Sequence, residues 1–188
     1  MKLIIASIIT LLTANMAFAQ NTVPTAETII TAAYKRAAAE KKNIIVLFHA
    51  SWCGWCRKMD ASMNDDKTKK LFDDNYVTVH LTVEESKDKK NLENPGADLM
   101  KKKYHGEEAG LPFWLIFDKN GKLLGDSYIR KQGIPMDQPG ESIGCPASDE
   151  EVAAFITILR SSSSLTEQQL TVIAERFKKN KAATSTAH

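Results

Sequence analysis

Cysteine is scarce in this chain: three in 188 residues, Cys53, Cys56 and Cys145. A small exported domain stapled by disulfides carries more of them and in even number, so a disulfide scaffold is excluded. An excess of one charge is lacking too. Lys and Arg number 25 against 23 Asp and Glu, and acidic residues separate the lysine clusters (Lys67, Lys69, Lys70; Lys87, Lys89, Lys90; Lys101, Lys102, Lys103). Phosphate binding needs a concentrated basic face, so nucleic acid is excluded as a partner and the lysines read as solvated surface. A long hydrophobic run is also missing. The apolar stretch at residues 3–12 is broken by Ser7 and Thr10, well short of the roughly 20 residues that span a bilayer. It has instead the marks of a removable leader: Lys2 before it, and Ala17 and Ala19 flanking Phe18 after it. Cleavage after Ala19 is the expectation, with 1–19 a signal peptide and a periplasmic or secreted chain starting at Gln20. An uncleaved membrane anchor is the alternative. No cysteine stands at the cleavage point, which argues against a lipid anchor.

The full sequence is 43% hydrophobic, and what remains after cleavage, residues 20–188, is of a length suited to one domain. Thr25 caps an expected helix that runs to Lys41 and Lys42. Ile44-Ile45-Val46-Leu47-Phe48-His49 has no polar alternation, the mark of a strand buried on both faces. Helical spacing follows after Cys53 and again over 66–74. Residues 76–83 alternate as a second strand, 97–104 form a short helix and 112–118 a third strand. Asn120-Gly121 turns the chain into a fourth strand over 122–129. Residues 131–148, with three prolines and three glycines, read as an irregular loop. Ser148 with Glu151 caps a helix over 149–160, and Ser164 with Glu167 caps a last one over 165–179. No internal repeat is visible. The order describes an α/β fold: a central mixed sheet flanked by helices, with an extra C-terminal helix.

Two of the three cysteines fall where that order gives them chemistry. Cys53-Gly54-Trp55-Cys56 leaves the buried strand and opens a helix. At a helix N-terminus unpaired N–H groups and the dipole stabilise an anion, and a thiol with an ordinary pKa of about 8.5 ionises more readily there. Cys53 is expected as the exposed nucleophile, with Cys56 one turn further in as the thiol that closes a disulfide and resolves a mixed one. Gly54 permits the close approach. Trp52 and Trp55 shield the sulfurs and offer apolar surface to a bound chain.

Trp52-Cys53-Gly54-Trp55-Cys56-Arg57-Lys58 resembles the active-site motif of the thioredoxin superfamily, and Gly110-Leu111-Pro112-Phe113 resembles its cis-proline segment. The resemblance covers about 25–160 and implies a thioredoxin fold, with Pro112 cis against the disulfide and Leu111 pairing with an extended substrate. It is strongest to exported thioredoxin-like proteins with a Trp-Cys-Gly-Trp-Cys site. It implies a protein thiol–disulfide oxidoreductase with no cofactor beyond the Cys53–Cys56 disulfide. Its partners would be proteins bearing thiols or disulfides and an electron-transfer partner in the membrane or envelope. Two positions depart from the family pattern. Leu47 stands where thioredoxin has a buried aspartate that takes the proton of the second cysteine, and His80 replaces the lysine paired with it. His49, His80 and Glu84 are then the candidates for a proton relay, with water as the alternative.

Other readings compete. Cys53, Cys56 and a nearby histidine form a conceivable copper or zinc donor set, though no metal site is assigned. A redox-inactive module that only holds peptides is a third possibility. His105 falls near the Pro112 segment without an assigned role. Cys145 reads either as a thiol without a role or as a third redox cysteine. Strong oxidants of the family this chain resembles place a histidine between the cysteines, so the resemblance implies a reductant or isomerase for the uncharged Gly54-Trp55 pair.

Overall fold

An apolar run with no polar side to turn to water must lie inside the molecule, and β1 (Asn43–His49) does. In the computed structural model, which describes residues 23–182, it pairs in parallel with β2 (Tyr76–Thr82) and antiparallel with β3 (Phe113–Phe117). A fourth strand, β4 (Leu123–Asp126), closes the sheet in the order β2-β1-β3-β4. The expected leader and its cleavage site lie outside the described residues.

Alternation along the strands divides the core in two. Ile44, Val46, Phe48, Phe113, Leu115 and Phe117 face one side, where Ala33 and Ala37 of α1 (Ala26–Glu40) pack. Ile45, Leu47, Trp114 and Ile116 face the other. That side is covered by α2 (Gly54–Met63), α3 (Lys69–Asn75), α5 (Asp149–Ser162) and α6 (Glu167–Ala182). The short α4 (Ala97–Lys103) follows a 3₁₀ turn at Lys87–Leu92. The sheet is mixed and flanked by helices on both faces, with the C-terminal helix sharing its core, which is the thioredoxin fold. Phe72, Phe155 and Phe177 form an aromatic cluster that ties α3, α5 and α6 together at ring separations of 5.0–6.4 Å. Gly125 permits α5 to approach β4: a Cβ there would lie 2.4 Å from Ile158 Cγ2.

Several boundaries differ from the sequence reading, each for a local reason. The expected strand over 122–129 breaks at Ser127 into β4 and β5 (Tyr128–Ile129). Buried Asp126 accepts from the Tyr128 N–H and takes a two-pronged bond from Arg130, at 2.7 and 2.6 Å, which turns the chain. The loop over 131–148 returns to pair as β6 (Glu141–Ser142) with β5. Before α3, Thr68 donates to the Ser62 carbonyl at 2.6 Å and delays the helix to Lys69. Ser148 and Glu151 form the expected capping box, and α5 continues to Ser162. The cap of α6 is Thr166 with Gln169, not Ser164 with Glu167: the Thr166 N–H donates to Gln169 Oε1 at 2.9 Å, and the Gln169 N–H donates to Thr166 Oγ1 at 3.3 Å. Ser164 is engaged elsewhere, donating to Asn75 Oδ1 from both its N–H and its hydroxyl.

Candidate active site

β1 ends at His49, and the chain must turn sharply to start α2. Two bonds shape the turn. The Cys53 N–H donates to the Ala50 carbonyl at 3.0 Å. Glu85, only 4% exposed, accepts both the N–H and the hydroxyl of Ser51, at 2.5 and 2.7 Å. The turn leaves Cys53 as the N-cap of α2, the position whose side chain satisfies an otherwise unpaired helix N–H. Here the acceptor is sulfur: the Cys56 N–H donates to Cys53 Sγ at 3.0 Å. Cys53 and Cys56 are joined as a disulfide.

Cys53 is buried in this oxidised state, at 2% exposure, which corrects the expectation of an exposed sulfur. Ala50 and Leu111 pack around the two cysteines and cover them. The exposed surface belongs instead to Trp52 (56%) and Trp55 (38%). The Trp52 indole N–H donates to the Glu84 carbonyl at 2.7 Å, and the Lys58 ammonium lies over the Trp55 ring, 4.1 Å from its centroid. The Leu111–Pro112 bond is cis. Trp55, Leu111, Ile143, Gly144 and Cys145 line a cleft of about 290 Å³. Trp52, Trp55, Leu111 and Pro112 thus lie on segments around one disulfide.

Two of the three relay candidates, His49 and His80, are brought together, and Glu84 is not. Leu47 is buried and apolar, paired in register with His80. His49 and His80 meet edge-on with ring centroids 5.2 Å apart, and His80 Nε2 bonds Asp60 Oδ1 at 2.8 Å. Asp60 stands on α2 one turn after Cys56, so the chain of polar groups runs His49, His80, Asp60 along the helix that carries the second cysteine. His49 Nε2 also contacts the Thr82 hydroxyl at 3.2 Å. Burial, reinforced by the neighbouring His80, holds the His49 pKa below its ordinary value of 6.5; Asp60 and Glu85 pull the other way. Glu84 is elsewhere, its carboxylate on the Lys101 ammonium.

Cys145 is buried beneath the cleft. Asn180 of α6 donates to its sulfur at 3.4 Å, and burial pushes its pKa up to about 12. Such a thiol stays protonated at neutral pH and is a poor nucleophile. His105 adopts a left-handed φ of 61° and accepts the Tyr128 hydroxyl proton on its carbonyl. Among the described residues no group of three or more His, Cys, Asp or Glu is arranged to hold a metal ion.

Sequence reasoning missed Glu85, Asp60 and Lys101. Glu85 follows Glu84 directly, and the alternation of β2 ends before either, so parity could not choose between them. Asp60 had a usable signal, since its spacing of four from Cys56 puts both on one helix face.

The chain has counterparts among known proteins. Residues 25–119, half of the chain, match the Thioredoxin-like family. A disulphide isomerase from Xylella fastidiosa is similar in structure, at 20% identity and a TM-score of 0.46, over 60% of this chain and 79% of that one. The oxidised C-terminal domain of DsbD from Neisseria meningitidis is similar at 18% identity and a TM-score of 0.39, over 55% and 84%. A thioredoxin from Thermus thermophilus is similar at 17% identity and a TM-score of 0.41, over 74% and 85%. No curated protein matches the chain. With the family match spanning the strand, the cysteine pair and the cis-proline segment, the chain belongs to the thioredoxin-like family.

Proposed function

We propose that this protein is a thiol–disulfide oxidoreductase that acts on protein disulfides in the cell envelope, as a reductant or isomerase. One observation carries the reading: the sulfur of Cys53 accepts a backbone N–H at the first turn of α2, between two exposed tryptophans. After reduction, a thiolate in that place keeps the same donor and gains from the helix dipole. It attacks one sulfur of a substrate disulfide, forming the mixed disulfide and releasing the other substrate sulfur as a thiolate that takes a proton. The Cys56 thiolate then attacks Cys53 Sγ and expels the second substrate thiol. Two electrons have passed to the substrate, and Cys53–Cys56 is again a disulfide. A dithiol donor in the envelope must return those electrons. The leader-like residues 1–19 support that location, and the uncharged Gly54-Trp55 pair supports the reducing direction. In this reading His49 and His80 take up the Cys56 proton, which their contact with each other and with Asp60, on the helix that carries Cys56, supports.

Reduction of a protein disulfide such as those of insulin is expected to fall to background in Cys53→Ser. Cys56→Ser should accumulate a covalent adduct between residue 53 and its client, visible on a non-reducing gel. Adduct formation through Cys145 alone would contradict the assignment. Equilibration with glutathione should give a reduction potential near about −270 mV; a value near about −120 mV would mark an oxidant and overturn the proposed direction.

The depressed His49 pKa has a defined sign. As pH falls through about 6.5, the unfolded chain takes up a proton that folded His49 does not, so its contribution to stability is complete above that pH and shrinks below it. The urea midpoint should therefore drop from about pH 7 to about pH 5, and drop less in His49→Gln. That variant should also prolong the life of the mixed disulfide. Unchanged resolution would remove His49 from the relay.

A further inference from the structure

In the proposed reaction a polypeptide that reaches the sulfurs meets two walls: Trp52, adjacent to Cys53, and the Leu111–Pro112 segment, whose Leu111 packs on both cysteines. These walls belong to different loops, and one buried cation joins them. Lys101 of α4 is 2% exposed, and an ammonium so buried must be paired. It donates to Glu84 Oε1 at 2.5 Å and to the Ala109 carbonyl at 2.9 Å. Glu84 in turn accepts the Trp52 indole N–H on its own carbonyl at 2.7 Å. The path Trp52, Glu84, Lys101, Ala109 is therefore continuous, and Ala109 directly precedes Gly110-Leu111-Pro112.

Three features make this path a strut. The Lys101 stem is enclosed: a Cβ added to Gly106 would lie 2.7 Å from its Cγ and 2.8 Å from the Phe113 ring. The whole side chain is only 3% exposed. Glu84 has φ 55°, the left-handed region that residues other than glycine enter only when their surroundings hold them there. Its side chain is held by Lys101 and its carbonyl by Trp52, so releasing one loosens the other. Lys101 also sits apart from the sulfurs, whose immediate packing is Ala50 and Leu111. Its action on the chemistry must pass through the walls.

We propose that Lys101 is a positioning residue that sets the gap between the Trp52 and Leu111 walls, and so the preference of the site for an extended polypeptide over a small disulfide. This rests on the oxidoreductase reading and adds its selectivity. The step itself is unchanged, because Lys101 neither gives nor takes a proton in it.

The test uses the full chain and Lys101→Met, which keeps the stem and removes the charge. Hydrogen exchange of the Trp52 indole N–H should quicken about tenfold, while the Trp114 indole, bonded to the Gly144 carbonyl at 2.8 Å, keeps its rate. KM for a protein disulfide should rise about tenfold with kcat within about twofold, and iodoacetamide should alkylate reduced Cys53 at a rate within about twofold of the parent. Glu84→Ala, which cuts the strut at its half-exposed end, should reproduce both effects even where Lys101→Met folds poorly. Glu84→Gln, which retains an oxygen acceptor, should restore both. An unchanged Trp52 exchange rate overturns the proposal, as does a loss shared equally by kcat, alkylation and Trp114 protection, which marks general destabilisation. If the parent reduces no protein disulfide, the functional reading fails and the selectivity falls with it. If the parent is active and KM does not move, the positioning role alone falls.

Discussion

A sulfur in the capping position of a helix is the constraint on which the rest of this structure depends. Serine, threonine, aspartate or asparagine usually fills that position with oxygen. Here Cys53 Sγ accepts the Cys56 N–H, so the group that satisfies the helix start is also the group proposed to react. A hydrogen bond of this kind to a reduced sulfur favours a thiolate over a thiol, and one pKa unit corresponds to about 1.4 kcal/mol of differential interaction. The same backbone turn brings Cys56 within bonding reach of Cys53. The pairing, and the reactivity proposed for Cys53, are thus both tied to where β1 stops and α2 starts.

Holding that junction falls to charged groups tied to partners, of which Glu85 and Lys101 are buried. Glu85 fixes Ser51 before the motif, and Lys101 with Glu84 links Trp52 to the cis-proline segment. At the far end of α2, Arg176 of α6 bonds Asp65, the Ser62 hydroxyl and the Ala61 carbonyl. Among the described residues every buried side-chain nitrogen or oxygen has a hydrogen-bond partner. Removing one member of such a pair leaves the other desolvated, which costs more than the pair contributes. These contacts therefore specify geometry more than they add stability. The C-terminal helix belongs to this frame: Phe177 fills the core under α2, and Asn180 holds the Cys145 sulfur.

The legible parts of the molecule were those written in local pattern. β1 is a continuous apolar run, α1 and α5 carry their own caps, and the cysteine spacing marks the start of α2. One illegible contact is local: Asp126 bends the fourth strand by capturing Arg130 four residues on, a spacing that strand alternation does not single out. The others depend on contacts distant in sequence. Nothing local shows that Asn75 would claim Ser164 and shift the α6 cap to Thr166. Burial of Cys53 was hidden for the same reason, since its cover comes from Leu111. Glu84 looked like a proton carrier by proximity in sequence, yet its positive φ turns its carboxylate to Lys101. Lys101 itself looked like one lysine of a solvated cluster. Its neighbours Lys102 and Lys103 are exposed, and only packing on Gly106 and Phe113 sets it apart.

The central claim is that the start of α2 stabilises a sulfur anion at position 53. Titrating the ultraviolet thiolate absorbance of the reduced protein, with Cys56→Ala and Cys145→Ala variants to isolate Cys53, measures this directly. A Cys53 pKa of about 7.5 or lower, against about 8.5 for a free thiol, is the expected result. A value at or above that of the free thiol would contradict the account.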